Sequence, residues 1–209
     1  LTHIGHSEKV FNMKRLLLIL ILTLSFQLWT QADDIKDLEI EGFSIGDSLL
    51  DFVNLKKIKE KINSYSDKGY IYKSKKYYAL TFDQSDFNSN FELYDQVQFH
   101  FKDKDNSFTI ESIAGIKLYI NNIDQCYSFL ELREKEADEM FSNFDKTVSN
   151  RSNEGKVNRL LGYFYELPDK STIYIACEDW TDESNIPDGF VLVLNTSAHQ
   201  NWVNNEAYK

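Results

Sequence analysis

Histidine, cysteine and clustered carboxylates are the residue types from which this chain could build a reactive or metal-binding site. Beyond Ala32 only two histidines remain, His100 and His199, far apart in sequence. His100 falls on the polar side of a strand pattern, so each ring reads as a surface or hydrogen-bonding residue, because a lone histidine is rarely a ligand. Cys126 and Cys177 are the only cysteines. A zinc site needs four good ligands, which this set does not supply. The better use of the thiols is a disulfide, with two buried free thiols as the other reading. A bridge would close a loop of about fifty residues, for which the chain-entropy model gives about 4 kcal/mol.

The carboxylates are plentiful but weakly patterned. Glu178, Asp179, Asp182, Glu183 and Asp188 crowd one segment and could offer oxygens to calcium. Their spacing departs from the calcium-loop pattern and the glycine, Gly189, arrives late, so a solvated acidic loop is the leading reading. No nucleophile-elbow sequence is present. A carboxylate pair for glycoside hydrolysis stays open, since acids occur throughout and their separation is not fixed by sequence. No catalytic residue, cofactor-binding residue or metal ligand is assigned, and no cofactor is expected.

Aromatic residues give the remaining lead. Tyr70, Tyr72, Tyr77, Tyr78, Tyr163, Tyr165 and Tyr174 lie on strand-like stretches, and Lys73, Lys75 and Lys76 fall among the first four. Tyr70, Tyr72, Tyr77, Tyr163 and Tyr165 are the candidate binding face. The competing reading is that these rings cover a sheet and leave their hydroxyls wet.

The elements that must position these residues follow from periodicity. After a short extended lead-in from Asp37 to Phe43, Gly46 breaks the pattern. Asp47 or Ser48 can cap a helix that starts at Leu49 and carries Leu49, Leu50, Val53, Leu55, Ile58 and Ile62, with a bend at Asn54. From Tyr70 the period is two: Tyr78, Leu80 and Phe82 share one face, as do Val97, Phe99 and Phe101, with Gln98, His100 and Lys102 opposite. A turn at Asp103 to Ser107 leads to a long strand whose even positions, Phe108 to Ile120, form one face. Ile123, Cys126, Tyr127, Leu130, Ala137, Met140, Phe141 and Phe144 then mark a helix of about six turns. Thr147 to Lys156 reads as a polar linker or loop. Strands follow at Leu160 to Leu167, Thr172 to Trp180 and Phe190 to Asn195, and a short helix with Trp202 closes the chain. Runs of antiparallel strands separated by helices predict an α+β fold, with antiparallel sheet and helices packed on one face. The halves 33–120 and 121–209 are candidates for a divergent helix-plus-sheet repeat.

The beginning of the chain gives an address. Met13-Lys14-Arg15 precedes the apolar run Leu16 to Phe26, and Thr30-Gln31-Ala32 follows before Asp33-Asp34. This is the layout of a signal peptide over residues 13–32, with residues 1–12 read as a non-native upstream extension. The apolar run is about eleven residues where a spanning helix needs roughly twenty, so no stable membrane anchor is expected after cleavage. The expected location is periplasmic or secreted, and residues 33–209 are the exported domain. The whole chain has 23 Lys+Arg against 33 Asp+Glu. Removing residues 1–32 leaves 20 against 32, a balance of −12. Nucleic acid and anionic membrane surfaces repel such a chain, so neither is expected as a partner. The aromatic content of 14% is too high for a disordered polyanion.

Ile40-Glu41-Gly42-Phe43-Ser44-Ile45-Gly46-Asp47-Ser48-Leu49-Leu50, with Ile113-Ala114-Gly115, Asp124-Gln125-Cys126-Tyr127 and Cys177-Glu178-Asp179-Trp180, is similar to an uncharacterised family of small exported proteins from low-GC marine bacteria. The resemblance covers most of the exported part and implies no activity. In architecture alone, a glycine-containing turn leading into a helix on an antiparallel sheet resembles the small lipoprotein of the outer-membrane assembly machinery and the β-lactamase inhibitory proteins. The chain lacks the lipid-bearing cysteine of the first. The resulting expectation is a non-catalytic exported domain that binds an unknown protein or envelope component through a sheet face. The alternative is a carboxylate-dependent hydrolase acting on envelope or imported polymers.

Overall fold

A computed structural model describes residues 34–65, 69–70, 72–87, 90–184 and 186–209. The proposed signal peptide and the extension before it lie outside the described residues. Among the described residues are nine strands: β1 (Glu39–Ile40), β2 (Phe43–Ser44), β3 (Tyr77–Asp83), β4 (Gln96–Lys102), β5 (Ser112–Leu118), β6 (Asp145–Glu154), β7 (Val157–Glu166), β8 (Thr172–Trp180) and β9 (Gly189–Asn195). Three α-helices join them: α1 (Leu55–Ser64), α2 (Ile123–Met140) and α3 (Ser197–Asn205). The fold is α+β. β1 and β2 form a small hairpin, and the other seven strands form one antiparallel sheet in the order β3-β4-β5-β9-β8-β7-β6.

Directly paired residues share a sheet face, so the register sorts every side chain. One face carries the rows Leu80-Phe99-Ile113-Leu194-Ile173-Tyr165 and Phe82-Val97-Gly115-Leu192-Ile175-Tyr163. This inner face takes α1 and α2. Helix α2 buries Cys126, Leu130 and Ala137 against it, and the Cys126–Cys177 disulfide ties its first turn to β8 with the Cα atoms 5.9 Å apart. Phe129 meets Phe190 edge-on at 4.9 Å, and Tyr165 donates to Asp138 at 2.7 Å near the other end of the helix. Helix α1 lies nearer β3, where Lys61 sits over the Phe82 ring and pairs with Asp86 at 2.8 Å. Phe43 closes the corner, with Phe52, Phe87 and Phe99 all within 5.0 Å between ring centres.

Several expectations need correction. The first helix does not start at Leu49. Ser48 caps only a 3-10 turn over Leu49–Asp51, and Asn54, in extended geometry with its side chain accepting from Lys57 N, starts α1 anew. Asn54 competes for its own backbone and so ends one element and caps the next. The long even-numbered strand face is also interrupted. Phe108 and Ile110 precede β5, and their backbone bonds go to Leu49, Gly46 and Asp47 instead of β4. Phe108 has a φ of 51° and packs on Phe101, so the strand proper begins at Ser112. Helix α2 spans 18 residues, about five turns. The largest difference is at Thr147 to Lys156, read as a linker. Most of it is β6, an edge strand exposed along most of its length, and a strand wet on both faces needs no apolar alternation.

The pairing of β5 with β9 has a further consequence. Each is the last strand of a run that follows a helix, three strands after α1 and four after α2, and the two meet antiparallel in mid-sheet with Ala114 opposite Val193. Two helix-then-meander units thus share one sheet.

Candidate functional site

The sheet face opposite α1 and α2 carries the Tyr77–Lys102 pair at one end and then four longer residue rows. The first is Ala79-His100-Ser112-Asn195-Thr172-Glu166, and the second is Thr81-Gln98-Ala114-Val193-Tyr174-Phe164-Thr147. The third is Asp83-Gln96-Ile116-Val191-Ala176-Gly162-Ser149. The fourth runs Leu118-Gly189-Glu178-Leu160-Arg151. Of the three helices among the described residues, only α3 docks on this face, at the first row. It is capped by Thr196, whose hydroxyl accepts from His199 N at 3.1 Å. Trp202, fully buried, packs 4.7 Å from Tyr77 and 5.0 Å from Tyr72. Its indole N–H donates to Ser74 Oγ at 3.0 Å.

The two histidines that lie far apart in sequence meet beneath α3. His199 Nε2 and His100 Nδ1 are 3.0 Å apart, with the rings nearly perpendicular. His100 Nε2 lies 3.0 Å from Gln98 Oε1, and His199 Nδ1 lies 3.0 Å from Asn195 Oδ1. All four ring nitrogens are therefore engaged inside the protein, and the rings are 6% and 2% exposed. Neither offers a lone pair to a substrate. Burial pushes His100 down to about 4, and burial together with the His100 ring pushes His199 down to about 2. Both are neutral, so the pair holds two N–H protons. Three contacts with amide oxygens at both ends would need three. Turning the Gln98 amide end for end resolves the count, since its Nε2 then donates to His100 Nε2 while its Oε1 accepts from the Thr81 hydroxyl. Both rings are then Nδ1–H tautomers. Asn195 Nδ2 keeps its bonds to Thr172 Oγ1 at 3.3 Å and Gln200 Oε1 at 3.1 Å. The chain thus fastens α3 to β4, β8 and β9, which is a structural task.

Among the described residues, no helix lies on the second, third and fourth rows. Phe164 and Tyr174 stack with ring centres 4.2 Å apart and planes 20° from parallel. The stack is possible because Gly162 lies beneath it: a Cβ there would stand 2.7 Å from both Tyr174 Cε2 and Ala176 Cβ. Beside the rings lie Val193, Val191 and Ile116, all half-buried, over fully buried Ala176. Polar groups frame this apolar strip, with Thr81, Gln98 and Gln96 on one side and Thr147, Ser149 and Arg151 on the other. Glu178 adds a carboxyl at the end of the strip. Burial pushes its pKa up, while a hydrogen bond with Trp180 and the Arg151 charge oppose the rise.

The structure divides the candidate tyrosines between the faces. Tyr163 and Tyr165 are on the inner face near α2, Tyr165 with 1% exposure, and Lys146 lies over both rings. Tyr77 is likewise 1% exposed, under α3. Tyr70 and Tyr72 are in the segment before β3 and not on a strand. Tyr70 donates to Asp103 at 2.5 Å and packs on Tyr78, whereas Tyr72 joins Trp202 and Tyr208 on the outer face. Of the five, Tyr72 and Tyr77 are the two on the outer face, both packed on Trp202 of α3. The residues that make the strip, Phe164, Tyr174, Val191 and Val193, did carry a signal. The run Phe190-Val191-Leu192-Val193-Leu194 is apolar at every position, which marks a strand with both faces withdrawn from water.

The acidic segment is partly spent on structure. Asp188 Oδ1 accepts from Trp180 N at 2.8 Å and Asp179 Oδ1 from Asn158 at 2.9 Å. Among the described residues no group of three or more His, Cys, Asp or Glu is placed to hold a metal ion. No helix among them is long and apolar enough to cross a membrane. In comparisons with known proteins, no family model, curated protein or solved structure matches the chain.

Proposed function

We propose that residues 33–209 form an exported, non-catalytic interaction domain that binds a protein or envelope component through the open strip of the outer sheet face. The observation that carries this reading is the Phe164–Tyr174 stack beside Val191, Val193 and Ile116, an aromatic and aliphatic surface framed by hydroxyls, amides and one ion pair's worth of charge. Such a mixture, with aromatic anchors and a polar rim, is the composition of protein interfaces. Export is supported by the basic and apolar layout of residues 13–32 and by the Cys126–Cys177 bridge, since such bridges persist in oxidising compartments. The resemblance to small exported proteins points the same way.

The test is capture from envelope extract with three baits. Wild-type protein and Leu132→Glu, a change at an exposed site on α2, should retrieve the same partner. Val193→Glu should lose it while keeping its disulfide and circular dichroism. Equal retrieval by Val193→Glu, or no partner for wild type across several salt concentrations, would remove the proposal.

A further inference from the structure

Helix α3 is secured through an ionisable contact that the sheet beneath it does not need. It follows β9, which pairs with β5 on one side and β8 on the other whether or not α3 is docked. Of the nine residues of α3 only His199 and Trp202 are buried. The remaining attachments are few: Trp202 Nε1 donates to Ser74 Oγ at 3.0 Å, Thr196 Oγ1 to Glu111 Oε2 at 3.0 Å, Thr172 Oγ1 to Gln200 Oε1 at 3.0 Å, and just beyond the helix Ser74 N donates to Ala207 O at 3.2 Å. The histidine chain has no place for a further proton. With both rings as Nδ1–H tautomers, His199 Nε2 receives the His100 N–H and His100 Nε2 receives the Gln98 amide, so a proton added at either nitrogen would set donor against donor. The charged groups around the pair are engaged elsewhere. Glu111 is met by Lys102 and Thr196, Glu206 by Lys76 and Glu166 by Lys170. Tyr77 and Tyr72 bring phenols whose pKa values burial raises, and Tyr208 and Glu178 act on Tyr72.

We infer that α3 is an acid-released latch: proton uptake by the His100–His199 pair detaches it from the outer sheet face while the seven-stranded sheet stays paired. Rings freed to water titrate near pH 6.5. Docked, burial holds His100 down at about 4, and burial with the His100 ring holds His199 down at about 2. The docked values are the depressed ones, so below pH 6.5 the released form binds more protons and gains on the docked form as the pH falls. A charge on one ring also opposes a charge on the other across their 3.0 Å contact. A helix of nine residues is marginal in water by itself, so release also unwinds α3. Release bares the row Ala79-His100-Ser112-Asn195-Thr172 and makes it continuous with the open strip in the adjoining rows. Control of docking by this route rests on the function proposed above, whereas the release itself does not.

Native-state hydrogen exchange of the exported chain, with no partner present, tests the latch separately from the docking proposal. At about pH 7 and about pH 4.5, in low urea, the α3 amides of Gln200 and Glu206 should open more readily than those of β8 and with a weaker urea dependence. After correction for intrinsic exchange rates, protection of the α3 amides should fall by about a thousandfold or more between the two pH values, because two rings gain protons on release. In His199→Gln one ring remains, and the fall should shrink to about a hundredfold or less. Glu206→Gln, which removes the carboxylate that pairs with Lys76, should leave the fall as in wild type. Wild-type α3 amides that open with the same free energy and urea dependence as those of β8 would overturn the inference, since α3 would then leave only on global unfolding. So would wild-type α3 protection that holds steady between the two pH values, and neither reading needs a variant. A fall in His199→Gln equal to that of wild type, or one abolished in Glu206→Gln, would overturn it as well.

Discussion

Lowering the pH should destabilise this protein through its buried histidine pair before its carboxylates titrate. In an unfolded chain both imidazoles take up protons near pH 6.5. In the fold, burial holds His100 down at about 4, and burial with the adjacent ring holds His199 down at about 2. The folded pKa values are depressed, so the unfolded state binds more protons below pH 6.5, and stability present above that point is lost as the pH falls toward 4. Each ring contributes about 1.4 kcal/mol per pH unit, which for the pair is about 4 kcal/mol lost at about pH 5. Glu178, whose carboxyl is raised by burial, works in the opposite direction but is common to every variant compared. The assay is urea unfolding at about pH 7, 6 and 5, comparing wild type with His199→Gln, whose slope should fall by about half because one proton is removed from the linkage. A wild type with no pH dependence in that window, or a His199→Gln chain with an unchanged slope, would refute the reasoning. The same experiment has a spectroscopic companion. Nitrogen-15 spectra should show both rings as Nδ1–H tautomers, and an Nε2–H ring at His100 would contradict the proton count through Gln98.

Replacing both Cys126 and Cys177 with alanine should lower stability by about 2–4 kcal/mol, read from the thermal midpoint, since the bridge spans 51 residues. Gly162→Val should cost about 1–3 kcal/mol and disturb the near-ultraviolet signal of the Phe164–Tyr174 stack, because a side chain there meets Ala176 and Tyr174 at 2.7 Å and the Ile175 carbonyl oxygen at 2.9 Å.

Legibility followed burial. β4 alternates cleanly because Val97, Phe99 and Phe101 face the aromatic core while Gln96, Gln98 and Lys102 point the other way, and α2 shows its stripe because one face alone is buried. The disulfide was readable because both cysteines sit on those inward patterns. β6 was not readable, since an edge strand open to water on both sides has no reason to alternate. The interruption before β5 was hidden because Phe108 and Ile110 are as apolar as a strand would require, yet their backbone bonds go to the distant Gly46–Leu49 segment. The histidine pair was hidden for a topological reason: α3 returns over β4 only because β9 lies beside β5, an adjacency that no local pattern encodes. The candidate tyrosines fall on different faces because alternation assigns a residue to a face but does not say which face a helix will cover.

The central claim concerns the open strip, and a photo-crosslinking residue placed at Val193 in living cells tests it most directly. The expected result is a discrete adduct from position 193 that is absent when the same residue replaces Leu132 on α2. Equal adducts from both positions, or none from 193 while the protein is folded and exported, would contradict it.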